Sequence, residues 1–181
     1  LKTDEFADLY AEELKAEGGV ISGEQFVDEC QVESDLELLL PATYVTGSSE
    51  RMLLYRELDS LTLDKDVEAF RNRLIDRFGP VPSETEELLR IVPLRRLAAR
   101  LGAEKVFLKG GRMSLFFISN PESPYYQSQA FGKVIAYMMK YTRRCDLREQ
   151  NTRRSMLVKD VKNVETAVGV LQEIVAMPVE E

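Results

Sequence analysis

The side chains that could do chemistry in this chain are mostly arginines and carboxylates, and their arrangement points to binding more than to catalysis. Histidine is absent, which removes the commonest general base and the commonest metal ligand. The two cysteines, Cys30 and Cys145, stand far apart, with no second thiol or histidine beside either. Acidic side chains are plentiful, yet no spacing marks a general acid/base pair, so no catalytic constellation emerges. Arg143, Arg144, Arg148, Arg153 and Arg154 form the densest basic run and lie near aromatic residues. Such a run could hold phosphates or stack on bases, but Asp146 and Glu149 interrupt it. A second set, Arg90, Arg95, Arg96 and Arg100, falls at helical spacing and reads as a solvated or salt-bridged face. Gly110-Gly111 has neither the G-x-G-x-x-G nor the G-K-[ST] context of a phosphate cradle. No cofactor or metal site is expected.

Charge is unevenly distributed. The 181 residues carry 24 basic and 31 acidic side chains, a net charge of −7. Residues 1–68 hold 5 Lys and Arg against 18 Asp and Glu, whereas residues 69–181 hold 19 against 13. An acidic front and a basic back imply two faces with different partners, or an acidic arm lying against a basic body. No apolar run approaches the roughly 20 residues that span a bilayer, and no signal-peptide pattern opens the chain. Two unpaired cysteines fit a reducing cytoplasm. Leu1 in place of Met suggests a piece excised from a longer polypeptide.

The elements that must position these residues centre on Leu74-Ile75-Asp76-Arg77-Phe78-Gly79-Pro80-Val81-Pro82. Val67, Phe70, Leu74, Ile75 and Phe78 share one helical face, Gly79 supplies a left-handed stop and Pro80 blocks continuation. The opposite side of that helix exposes Arg73, Asp76 and Arg77. Ser83 and Glu86 make a capping-box pattern for the next helix, Glu84 to Leu101, in which Pro93 should cause a kink or a break. Upstream, residues 1–17 have a helical pattern ended by Gly18-Gly19, and residues 22–33 read as an acidic linker. Gln31 to Leu40 alternates as an edge or half-buried strand. Ser48 or Ser49 should cap a helix burying Met52, Leu54, Tyr55, Leu58 and Leu61, and Thr62 should start the helix into the corner. Downstream, Lys105–Leu108 and Met113–Ile118 flank Gly110-Gly111 as a hairpin. Ser123-Pro124 opens an aromatic helix through Tyr141. Ser155–Asp160 forms a last strand, and Asn163 caps a closing helix. The reading is an α+β fold: a small, mainly antiparallel sheet of about four strands against about five helices. Residues 1–30 form an acidic helix and linker, and residues 31–181 a domain.

Several strings in this order resemble a known family. Leu40-Pro41-Ala42-Thr43-Tyr44-Val45, then Arg51 with Leu54-Tyr55 and Leu58, then the Leu74–Pro82 corner, are similar to the C-terminal domain of bacterial transcription-repair coupling factors. Leu88-Leu89, Leu94-Arg95, Ala98, Leu101-Gly102 and Lys109-Gly110-Gly111 agree in order and approximate spacing, so the resemblance covers residues 31–175. It implies a part of an ATP-driven double-stranded DNA translocase that removes stalled RNA polymerase and recruits UvrA in nucleotide excision repair. The motor motifs of such proteins lie upstream, so this chain is expected to be no enzyme by itself. In the family this domain is regulatory: it docks on the UvrB-like module of the same polypeptide, covers the UvrA-binding surface and restrains the motor.

On that basis Arg73, Asp76 and Arg77 are the expected interdomain docking residues, with Asp76 foremost because the resembling motif keeps that acid. Local capping or pairing is the alternative use of Asp76. The chain departs from the family pattern at Arg73, where relatives often carry an acid. Expected partners are the UvrB-like module directly, UvrA and RNA polymerase indirectly, and DNA through the motor domains, with no membrane. Two rival readings are a direct nucleic-acid-binding module using Arg143, Arg144, Arg148, Arg153 and Arg154, and a free-standing adaptor that binds through its acidic arm.

Overall fold

The computed structural model describes residues 26–179. The helix expected over residues 1–17, and the linker as far as residue 25, lie outside the described residues. Residues 26–30, the described part of that linker, are packed inward: Val27 and Cys30 are buried, and Phe26 meets Tyr125 edge-on at 5.6 Å.

Five strands form one sheet: β1 Gln31–Ser34, β2 Ala103–Lys109, β3 Arg112–Phe117, β4 Cys145–Gln150 and β5 Arg153–Val158. Their order is β1-β2-β3-β5-β4, and every pairing is antiparallel except β1 with β2. A parallel pair needs a crossover. Here it contains three of the five α-helices among the described residues: α1 Ser48–Ser60, α2 Asp64–Phe78 and α3 Ser83–Arg100. The remaining two, α4 Gln129–Lys140 and α5 Val164–Val175, follow the β2–β3 hairpin and β5. The α+β reading therefore holds, with five strands where about four were expected.

Alternation in β2, β3 and β5 sends Val106, Leu108, Met113, Leu115, Phe117, Met156 and Val158 to one face, where all are buried. The C-terminal half of α3, with α4 and α5, completes that core through Leu97, Ala98, Val134, Tyr137, Ala167 and Leu171. A second, smaller core joins Leu40, Val45, Leu58, Phe70, Leu74, Leu89 and Val92, so α1 and α2 pack on the N-terminal half of α3. The turn between β2 and β3 is built as its glycines predict, with φ of 62° at Gly110 and 71° at Gly111.

Several local expectations are corrected. Pro93 neither ends nor splits α3, which runs unbroken from Ser83 to Arg100 and is held on both sides of the proline by buried leucines. The Ser83–Glu86 capping box does not form: Arg71 takes the Glu86 carboxylate at 2.8 Å, and Ser83 donates to Glu84 instead. Neither Ser48 nor Ser49 caps α1, since both lie inside it, and α2 starts at Asp64 and not at Thr62; the positions before the two helices are Gly47 and Leu63, without side-chain caps. Met52 is 57% exposed rather than buried. The aromatic helix is two elements. Ser123 caps one 3-10 turn, Pro124–Gln127, and Ser128 caps α4. The break turns Tyr125 into the core, where its hydroxyl donates to the Leu101 carbonyl.

Candidate functional site

The corner after α2 is rigid for reasons written in two separated strings. Gly79 ends the helix at φ 87° and donates its N–H to the Ile75 carbonyl at 2.9 Å. Tyr44 lies in a turn, not an extended run: its N–H and that of Val45 both donate to the Pro41 carbonyl at 2.9 Å. From there its hydroxyl reaches across and donates to the carbonyls of Gly79 at 2.8 Å and Leu74 at 3.2 Å. Its ring lies 5.6 Å from that of Phe78. Burial, and then the Glu86 carboxylate, raises the Tyr44 phenol above its usual range, so it stays a proton donor. The same segment is tied down further. Leu40 donates to the Tyr55 hydroxyl at 2.7 Å, Arg51 to the Val45 carbonyl at 2.7 Å, and buried Thr85 to the Leu39 carbonyl at 2.9 Å.

On this base α2 displays Arg73, Asp76 and Arg77 together, all three exposed. Spacings of three and four residues put them on one stripe. The two arginines are committed to α1: Arg73 pairs with Glu57 and Arg77 with Glu50. Their guanidinium groups also cover rings of their own helix, Arg73 over Phe70 at 5.6 Å and Arg77 over Phe78 at 4.9 Å. Asp76 has no hydrogen bond or ion pair among the described residues, so local pairing is not its use here. The result is a lattice of alternating charge with one acid unengaged, edged on α1 by Leu53, which shares the Glu50–Glu57 stripe by its spacing and is 63% exposed. Glu50, Glu57 and Leu53 belong to this surface and were not expected there. The α1–α2 pairing depends on how the two helices cross, which spacing within one helix does not report.

The Arg143–Arg154 run is dispersed. Arg144 is spent on the backbone, donating to the carbonyls of Lys159 at 2.9 Å and Asp160 at 3.2 Å. Arg148 meets Asp146 at 3.7 Å. Arg153 and Arg154 are neighbours in β5 and therefore point to opposite faces of the sheet, Arg154 over the Tyr126 ring at 4.3 Å and Arg153 over Phe116 at 5.6 Å. Arg143 is exposed in the turn before β4. These five do not form one basic patch. In the α3 set, Arg90 pairs with Glu87 at 3.0 Å, Arg95 with Asp59 at 3.6 Å and Arg96 with Asp64 at 2.7 Å, a salt-bridged face.

Nothing in the remaining chemistry competes with the helical corner. Both cysteines are buried; burial pushes Cys30 up to about 12 and raises Cys145, so neither is a ready thiolate. Among the described residues no cluster of acids and cysteines could hold a metal. A cleft of about 650 Å³ runs between residues 27–30, the end of α1 and α3, but Arg95 and Arg96 on its wall are already paired with acids. No helix among the described residues is long and apolar enough to cross a membrane.

Comparison with known proteins adds the following. The model of the TRCF domain family matches residues 34–128, which includes both Tyr44 and the Gly79 corner. The transcription-repair-coupling factor of Rickettsia typhi is 26% identical over 149 residues, 80% of this chain and 13% of that protein. That of Rickettsia prowazekii is 25% identical over 170 residues, 91% of this chain and 14% of the relative. In Staphylococcus haemolyticus the corresponding protein is 24% identical over 146 residues. A crystal structure of a C-terminal domain of transcription-repair coupling factor superposes with a TM-score of 0.62 at 17% identity, covering 81% of this chain and 93% of that one. That likeness bears on the fold.

Proposed function

The chain belongs to the TRCF domain family, and from that premise we propose that it is the regulatory, autoinhibitory C-terminal part of a transcription-repair coupling factor. It spans about 13% of the length of relatives it matches, and in this reading the motor activity belongs to the longer protein. In this reading the larger protein is an ATP-dependent DNA translocase that displaces stalled RNA polymerase and recruits UvrA in the cytoplasm. The present domain holds it in check by docking on the UvrB-like module of the same polypeptide.

The observation that carries the reading is Asp76, an exposed and unengaged carboxylate between two arginines already fixed by Glu50 and Glu57. A restraining contact has to be specific yet releasable. Complementary charge on a rigid base gives specificity with modest affinity. Because Arg73 and Arg77 are neutralised within the domain, the acid is what remains to meet a cation on the partner. The test is titration of the chain against the separately expressed UvrB-like module. Binding is expected, and Asp76→Arg should weaken it by about 10-fold or more while leaving the fold intact. Absence of binding, or binding indifferent to that reversal, would sink the docking face proposed here.

A further inference from the structure

The helices cover one face of the sheet, and the other face carries a different set of residues. By register, Phe107 on β2 and Phe116 on β3 point there, and both stand apart from the two hydrophobic cores. They are half-buried and lie in edge-to-face contact, ring centres 5.2 Å apart at 86°. Cations surround them. Lys105 and Lys109 sit 5.5 and 5.1 Å from the Phe107 ring, and Arg153 sits 5.6 Å from Phe116. Each ring also has a serine directly across the ladder, Ser114 opposite Phe107 and Ser155 opposite Phe116. Acids on this face are few. Glu33 approaches Lys109 at 3.7 Å and Asp146 approaches Arg148, while Lys105 and Arg153 have no acidic partner among the described residues. Arg153 also keeps a buried Nε with no hydrogen-bond partner.

Two aromatic rings on adjacent central strands, ringed by cations of which Lys105 and Arg153 have no acidic partner among the described residues, on a chain of net charge −7, match a polyanion with flat groups attached. We propose that this face binds a short stretch of single-stranded RNA. Bases stack on Phe107 and Phe116, and phosphates are held by Lys105, Lys109 and Arg153. Ser114 and Ser155 supply hydroxyls beside each stacked nucleotide, placed to hydrogen-bond a 2′-OH. A duplex cannot use the face, because its bases are already stacked on one another and present no free surface to the rings. The proposal is independent of the docking face, which lies on α1 and α2.

The test is fluorescence anisotropy on the whole chain with a labelled oligouridine of about 10 nucleotides, the matching oligothymidine, and an RNA duplex as separate ligands. The single-stranded RNA should bind with an affinity that falls steeply as salt rises, and more tightly than either of the others. Phe107→Ala and Phe116→Ala should each weaken it by about 10-fold. Both rings are half-buried, so Lys105→Glu, a surface change outside both cores, serves as the second variant and should weaken binding by a comparable factor. No RNA binding by the folded chain overturns the proposal. Binding that survives Lys105→Glu, or that is lost on Arg143→Glu instead, overturns it as well. Equal or tighter binding of the DNA strand or the duplex removes the assignment to RNA.

Discussion

The hydroxyl of Tyr44 is a single donor serving two carbonyls at the end of α2, and it converts a helix terminus into a fixed corner. Helix ends leave carbonyls without intrahelical partners, and at this half-buried corner the Tyr44 hydroxyl serves two of the carbonyls. Tyr44→Phe keeps the ring against Phe78 and removes only the hydrogen bonds. The expected loss is about 1 kcal/mol of stability, read as a lower urea midpoint with an unchanged slope. A loss of that size also separates the hydroxyl's role from ring packing, which Tyr44→Ala would mix together. At the same scale, the residues of the candidate site were legible in the sequence. A stripe at positions 73, 76 and 77 follows from the helical period alone. What α1 does to that stripe was not legible, because Glu50 and Glu57 come from a neighbouring helix whose crossing no local pattern encodes.

At the level of elements, the β4–β5 hairpin shows where reading by pattern stops. β4 is Cys-Asp-Leu-Arg-Glu-Gln with only Cys145 buried, so it lacks the alternation that announces a half-covered strand. Its turn, Asn151-Thr152, has both residues in the left-handed region, φ 52° and 66°. The usual Asn-Gly or Asp-Gly signal is absent, because a threonine sits where glycine is favoured. The β2–β3 hairpin, with glycine at both turn positions, was readable for the same reason in reverse. A β-branched residue at positive φ is strained by roughly 1–2 kcal/mol, of which the flexibility of glycine in the unfolded chain returns a part. Thr152→Gly is therefore expected to stabilise the protein by about 0.5–1 kcal/mol, visible as a raised thermal midpoint. The parallel placement of β1 was equally hidden, since its partner β2 begins about 70 residues later and only the three intervening helices bring the two together.

Across the whole molecule, α3 is the element that both cores share. Leu89 and Val92 belong to the helical core, and Leu94, Leu97 and Ala98 to the sheet core, with Pro93 at the boundary between them. A second tie runs from the same helix. The Glu87 carboxylate accepts the N–H groups of Val164 at 2.7 Å and Glu165 at 3.0 Å, capping α5 from outside, while Arg90 holds it at 3.0 Å. Asn163 caps the same helix from within by accepting from Thr166 at 2.7 Å, as its position in the sequence predicts. Removing the carboxylate leaves two donors at a helix start and an arginine without its nearer partner. Glu87→Ala is thus expected to cost about 1–2 kcal/mol, and amide exchange should quicken at Val164 and Glu165 before the sheet is affected.

The lopsided burial of β4 also bears on how copies of the chain meet one another. Among the described residues its outer edge has no partner, so a row of backbone donors and acceptors faces outward as a template for another strand. Asp146, Arg148 and Glu149 crowd that edge with charge of both signs, which makes addition of a second molecule costly. The poor strand signal and the cost of pairing at this edge have one origin. The charges that disguise β4 in the sequence are those that keep it from growing.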